Sequence, residues 1–181
     1  MNDIDVSGDI LWEISLDSKN TIIKNRFDGI EFIFCLLNEK GMPSTRFKQG
    51  EKFSLYFVLT NHRKDKLYTI SDFGCMLPTH CTQLITLDKD SIHYSFVRYP
   101  CHLPLLYQPF YGRNNKRELN EYWIDKQTYQ FPNLPEGEYY TDFSCEFIFS
   151  HNKANKPFYK LNTITFKINF KIENNEENYY Y

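Results

Sequence analysis

Six side chains able to bind a metal fall within one stretch of the chain: Cys75, His80, Cys81, His93, Cys101 and His102. A structural zinc ion takes four nitrogen or sulfur donors, typically from cysteines about two to four residues apart or histidines about three to five apart. Here Cys75 and His80 are loosely spaced and Cys101 and His102 are adjacent, so the stretch reads as loop cysteines and surface histidines, with no metal or cofactor expected. The chain has five cysteines, which leaves at least one thiol unpaired in a monomer. Cys35 and Cys145 lie in strand-like runs and are expected to be small buried hydrophobes. Cys75, Cys81 and Cys101 lie in loop-like sequence and are the candidate members of a disulfide; closing the short loop from Cys75 to Cys81 would stabilise by roughly 2 kcal/mol.

Nucleophilic and phosphate chemistry find no constellation to use. There is no Gly-x-Ser-x-Gly turn, no glycine-rich phosphate loop and no His-Glu-x-x-His pair, and the chain has only seven glycines for close backbone approach. The acidic residues are spread over turns and strand exteriors, where solvated charge accounts for them. No catalytic residues are assigned and the protein is expected not to be an enzyme. A formal net charge of −2 offers no basic stripe to neutralise phosphates, so nucleic acid is excluded as a partner class.

The most suggestive surface is the segment from Tyr94 to Tyr111, where aromatic residues alternate with Pro100, Pro104 and Pro109. Tyr99, Leu103, Tyr107, Phe110 and Tyr111 form the candidate interaction surface, because aromatics on a proline-stiffened loop bind sugar rings or a partner chain at little entropic cost. The competing reading has the same loop folding back to plug the open end of the fold.

The elements that must carry these residues are strands. Sixteen Phe and fourteen Tyr favour extended structure. Side chains alternate along a strand, and Phe53, Leu55, Phe57 and Leu59 share one face of the run from Gly50 to Asn61. The same period of two appears in Ile10 to Asp17 and Gly29 to Leu37, the latter apolar on both sides and so expected to be covered on both. It appears again in Gly137 to Ser150 and in Ile164 to Ile172, which should form a hairpin. Upstream of that hairpin, residues 71–113 are an irregular excursion with short strands expected at Thr82 to Leu87 and Ile92 to Tyr99. The basic segment Arg113 to Glu118 reads as a solvated loop or a single helical turn, followed by extended sequence carrying Trp123. Residues 1–172 are therefore expected to be one domain, an all-β, immunoglobulin-like antiparallel β-sandwich, and residues 173–181 a polar, flexible tail.

Immediately before one of these strands the order is Leu134, Pro135, Glu136, Gly137, Glu138, Tyr139. It resembles the tyrosine-corner entry of immunoglobulin-like domains, which implies a structural role for Tyr139. With GEKFSLYFVLTN upstream and Trp123 between, residues 29–172 are similar to the bacterial immunoglobulin-like domain named after the intracellular proteinase inhibitor of bacilli, and to related envelope lipoproteins. The resemblance implies structural roles for Trp123 and Tyr139 and a non-enzymatic interaction or structural module. A protease-inhibitory domain and a carbohydrate-binding module using the aromatic loop are the alternatives, with a protein or glycan partner. No apolar run is long enough to span a bilayer, and the opening Met1, Asn2, Asp3 begins no signal peptide. A lipid anchor upstream is compatible with that polar opening, so the cell envelope or the exterior is the expected location, with the cytoplasm as the alternative.

Overall fold

Aromatic and β-branched side chains at every second residue favour strands, and in the computed structural model the described residues form strands and turns without an α-helix. The structure describes residues 10–27, 29–69, 77–85, 91–97, 108–145, 148–150, 159–160 and 163–174. In chain order the strands are β1 (Ile10–Ile14), β2 (Ile22–Phe27), β3 (Ile30–Leu37), β4 (Arg46–Lys48), β5 (Ser54–Asn61), β6 (Leu67–Thr69) and β7 (His80–Leu84). They continue with β8 (Ser91–Ser95), β9 (Gln108–Phe110), β10 (Asn115–Glu121), β11 (Gly137–Cys145), β12 (Ile148–Ser150), β13 (Tyr159–Lys160) and β14 (Ile164–Glu173). A six-stranded sheet runs β1-β14-β11-β7-β8, with β4 also paired to β14, and packs on a four-stranded sheet of order β10-β5-β3-β2. A third sheet, β13-β12-β6-β9, is fed by the far ends of β5 and β11. The protein is a β-sandwich.

The dry interior follows from the alternation. Ile164, Phe166, Ile168, Phe170 and Ile172 of β14 are all buried, opposite Phe32, Phe34, Leu36, Leu55, Phe57 and Leu59 of the second sheet. β11 pairs antiparallel with β14 from Gly137↔Ile172 to Cys145↔Ile164, the expected partnership, although the chain between them also supplies β12 and β13. The reverse face of β3 is covered only in part: Cys35 is 1% exposed, while Ile33 and Leu37 are half-buried.

β1 and β4 both run parallel to β14 along its outer edge, at Ile10↔Ile164 to Ile14↔Ile168 and at Lys171↔Arg46 to Glu173↔Lys48. Asn169 clamps the first of these, its Nδ2 donating to Glu13 Oε1 at 2.7 Å and to the Ile14 carbonyl at 2.6 Å. The Asn169 hydrogen bond, joined by Lys167 Nζ at 3.1 Å, holds the Glu13 carboxyl below its ordinary value of 4.5, against the opposing effect of burial. A depressed folded value means that Glu13 stabilises the fold above its unfolded pKa and loses that contribution as pH falls through the folded one. Glu13→Gln should therefore be less stable than the parent at neutral pH, by no more than about 1 kcal/mol because the pair is partly solvated, and the gap should close at an acidic pH below the folded-state value. Urea midpoints measured at both pH values check this.

One segment departs from the sequence expectation. Arg113 to Glu118 is neither a solvated loop nor a helical turn. Arg113 and Asn114 are left-handed (φ 60 and 69), and Asn115–Glu121 is strand β10, paired with β5 from Asn115↔Asn61 to Glu121↔Leu55. The charges misled because β10 is an edge strand. Lys116 and Glu118 face outward, and Arg117, at an inward position, lays its guanidinium 5.4 Å from the Phe110 ring centroid.

At this end the chain is knotted by one amide. Asn61 is wholly buried; its Nδ2 donates to the carbonyls of Phe110 (3.1 Å) and Asp65 (3.3 Å), and its Oδ1 accepts from Arg63 N at 3.0 Å. Gly112 lies so close that an added Cβ would sit 2.5 Å from the Arg63 carbonyl oxygen and 2.6 Å from that of Asp65. Only glycine permits that approach.

Candidate interaction surface

Residues of the six-stranded sheet that alternate with the core positions form its outer face, and the register lines several of them into a row. Asp142 of β11 is opposite Lys167 of β14, which in turn is opposite Glu13 of β1. On the other side of β11 comes His80 of β7, whose Nε2 lies 3.2 Å from Asp142 Oδ1. The His93 ring of β8 stacks on that of His80 with centroids 5.2 Å apart and planes inclined by 29°. Thr82 Oγ1 holds His93 Nδ1 at 3.0 Å. Lys167 Nζ, 3.1 Å from Glu13 Oε1, also lies 4.8 Å from the centroid of the Tyr140 ring.

Five strands thus contribute to one belt of linked polar groups. His80, Asp142, Lys167 and Glu13 retain 31%, 36%, 31% and 35% of their side-chain exposure. They are held in place by one another yet still open to solvent. Such a belt can present donors and acceptors in fixed positions with little entropy left to lose on contact. Beside it, Glu13, Ser15, Leu16, Asp17, Glu138 and Asn169 line a shallow polar cleft of about 340 Å³.

The residues singled out from the sequence are dispersed. Phe110 does not belong to an interaction surface: it is fully buried, because β9 pairs with β6 and seats the ring in the core beneath Arg117. Tyr111 is 55% exposed, with Lys66 Nζ 5.5 Å from its ring centroid. Tyr99, Leu103 and Tyr107 lie outside the described residues, as do Cys75 and Cys101. Tyr139 is fully buried and its hydroxyl donates to the Pro135 carbonyl at 2.7 Å. Trp123 is 3% exposed; its Nε1 donates to the Pro78 carbonyl at 2.9 Å, and its ring stacks on Phe96 at 4.6 Å.

Cys81 is corrected as a disulfide member. It is a free thiol at an inward position of β7, fully buried, on the face opposite to His80 because neighbouring residues of a strand alternate. The same alternation separates Cys81 from His80 as metal ligands, and among the described residues no three His, Cys, Asp or Glu side chains converge on a metal position. Burial pushes the Cys35 thiol up to about 12 and drives that of Cys81 upward as well. Both are correspondingly poor nucleophiles. In native protein treated with iodoacetamide, peptides carrying Cys35 and Cys81 should be alkylated at least ~100-fold more slowly than in urea, as read by mass spectrometry.

Asp142, Tyr140 and Lys167 were not foreseen as a group. The alternation placed Asp142 and Lys167 on the outer faces of their strands, but only the pairing of β11 with β14 and β7 brings them together with His80. Neither a comparison with known protein families nor one with curated proteins returns a match for this chain.

Proposed function

We propose that the protein is a non-enzymatic interaction module that offers the outer face of its six-stranded sheet to a protein partner. The observation that carries this reading is the belt from His93 through His80, Asp142 and Lys167 to Glu13, ordered across five strands rather than on loops. Small-molecule sites are concave and mainly apolar. The belt is a sheet surface, and the cleft beside it is lined almost wholly by polar groups. Charges of both signs favour a protein over a glycan. A glycan platform needs an open ring face, whereas Tyr140 is half-buried with an ammonium group against its ring.

A photoreactive amino acid at exposed Ser144 of this face, and another at Lys24 on the opposite sheet, tests the reading in extracts of the source cells. A discrete protein adduct at Ser144 that is absent at Lys24, and lost with Asp142→Lys, supports it. Equal labelling at both positions, no adduct at Ser144, or binding to arrayed glycans instead would overturn it.

A further inference from the structure

Among the described residues, the strands that end the two main sheets are not alike. β2 carries Lys24 and Arg26, and β10 carries Lys116, Arg117, Glu118 and Glu121. Such charges discourage pairing with another strand. β8, which ends the six-stranded sheet on the side away from β1 and β4, reads Ser91-Ile92-His93-Tyr94-Ser95 and has no acidic residue, lysine or arginine. Ile92 on it is 45% exposed, and Leu84 and Ile85 next to it are 41% and 36% exposed.

The direction of its backbone groups can be derived. Phe96 N donates to the Thr79 carbonyl at 2.7 Å, so in the alternating antiparallel ladder Tyr94 and Ile92 also turn their amides and carbonyls towards β7. Ser91, His93 and Ser95 therefore turn theirs outward. The free stretch stops at Ser95, because Val97 N is taken by the Ile124 carbonyl at 2.8 Å. This outward-facing segment is nearly a palindrome about His93. Laid antiparallel on a copy of itself, it sets His93 opposite His93 and Ser91 opposite Ser95 as hydrogen-bonded pairs, using the outward groups. Ile92 then falls opposite Tyr94 at the closer non-hydrogen-bonded spacing, a β-branched residue against an aromatic ring.

We propose that two copies of this chain associate through β8 about a two-fold axis at His93, joining their six-stranded sheets into one. The inference is independent of the partner proposed for the sheet face. The contact is short, so the dimer is a weak one, populated at protein concentrations of about 0.1–1 mM.

Sedimentation equilibrium over that range tests it, with two double variants at exposed positions: Ser91→Lys with Ser95→Lys, and Ser91→Glu with Ser95→Glu. Each alone should dimerise at least about tenfold more weakly than the parent, and an equimolar mixture should recover association, because every lysine then meets a glutamate. His93→Pro removes the central outward amide and the ring contacts with Thr82 and His80 but leaves the backbone ladder to β7, and should abolish dimerisation with an unchanged far-ultraviolet circular dichroism spectrum. A parent that stays monomeric at about 1 mM, variants that associate like the parent, or a mixture of folded charge variants that remains monomeric would each overturn the proposal.

Discussion

Phe166→Ala is expected to lower the unfolding free energy by about 3–5 kcal/mol, the largest loss from any single side chain in the described core. Phe166 is fully buried where the two main sheets face each other, with ring centroids of Phe143 at 4.9 Å, Trp12 at 5.2 Å, Phe57 at 5.4 Å, Phe32 at 6.0 Å and Phe34 at 6.1 Å. Those neighbours come from β11, β1, β5 and β3, so no single strand can shift to fill the void. Aromatic contacts add to the transfer term, since edge-to-face and offset pairs are worth about 0.5–1.5 kcal/mol beyond area. Phe166→Leu keeps most of the volume and should lose much less. Urea unfolding of the three proteins measures both differences, and a loss under about 1 kcal/mol for the alanine variant would show that this junction is not the centre of the core.

Tyr139→Ala should follow closely, at about 3–5 kcal/mol, and Tyr139→Phe should lose about 1–3 kcal/mol with the ring intact. The pair of substitutions separates two roles. The ring stacks on Phe170 at 5.3 Å, tying β11 to β14, while the hydroxyl closes the loop entering β11 through its bond to the Pro135 carbonyl. Burial raises the pKa of that hydroxyl, which favours its protonated, donating form. A Tyr139→Phe variant as stable as the parent would assign the whole effect to the ring.

How much of this was legible in the sequence depended on how completely each strand is buried on one side. β14 alternates without interruption because every second residue enters the core, and β5, β11, β3 and β1 read almost as clearly. β2 was not foreseen: Asn25 occupies an inward register position between Ile23 and Phe27 and breaks the rhythm. β4 has only Phe47 to signal it, and its three residues are held by pairing with β14. The first half of β10, through Glu118, reads as a loop because its charges reflect an edge position, which no local pattern reveals. The belt on the outer face was harder still. His80 and Asp142 are 62 residues apart and meet only through strand pairing, whereas Tyr139 could be foreseen because its partner is four residues upstream.

The parallel pairing of β1 with β14 sets how the molecule responds to tension. Traction applied before Ile10 and after Glu173 draws the two strands along their common axis in opposite senses, so the rungs from Ile10↔Ile164 to Ile14↔Ile168 bear the load together in shear instead of unzipping one at a time. The Asn169 amide and the Lys167 ammonium, both fastened to β1, lie across that slip plane like rivets. The two strands therefore part only when these rungs yield together.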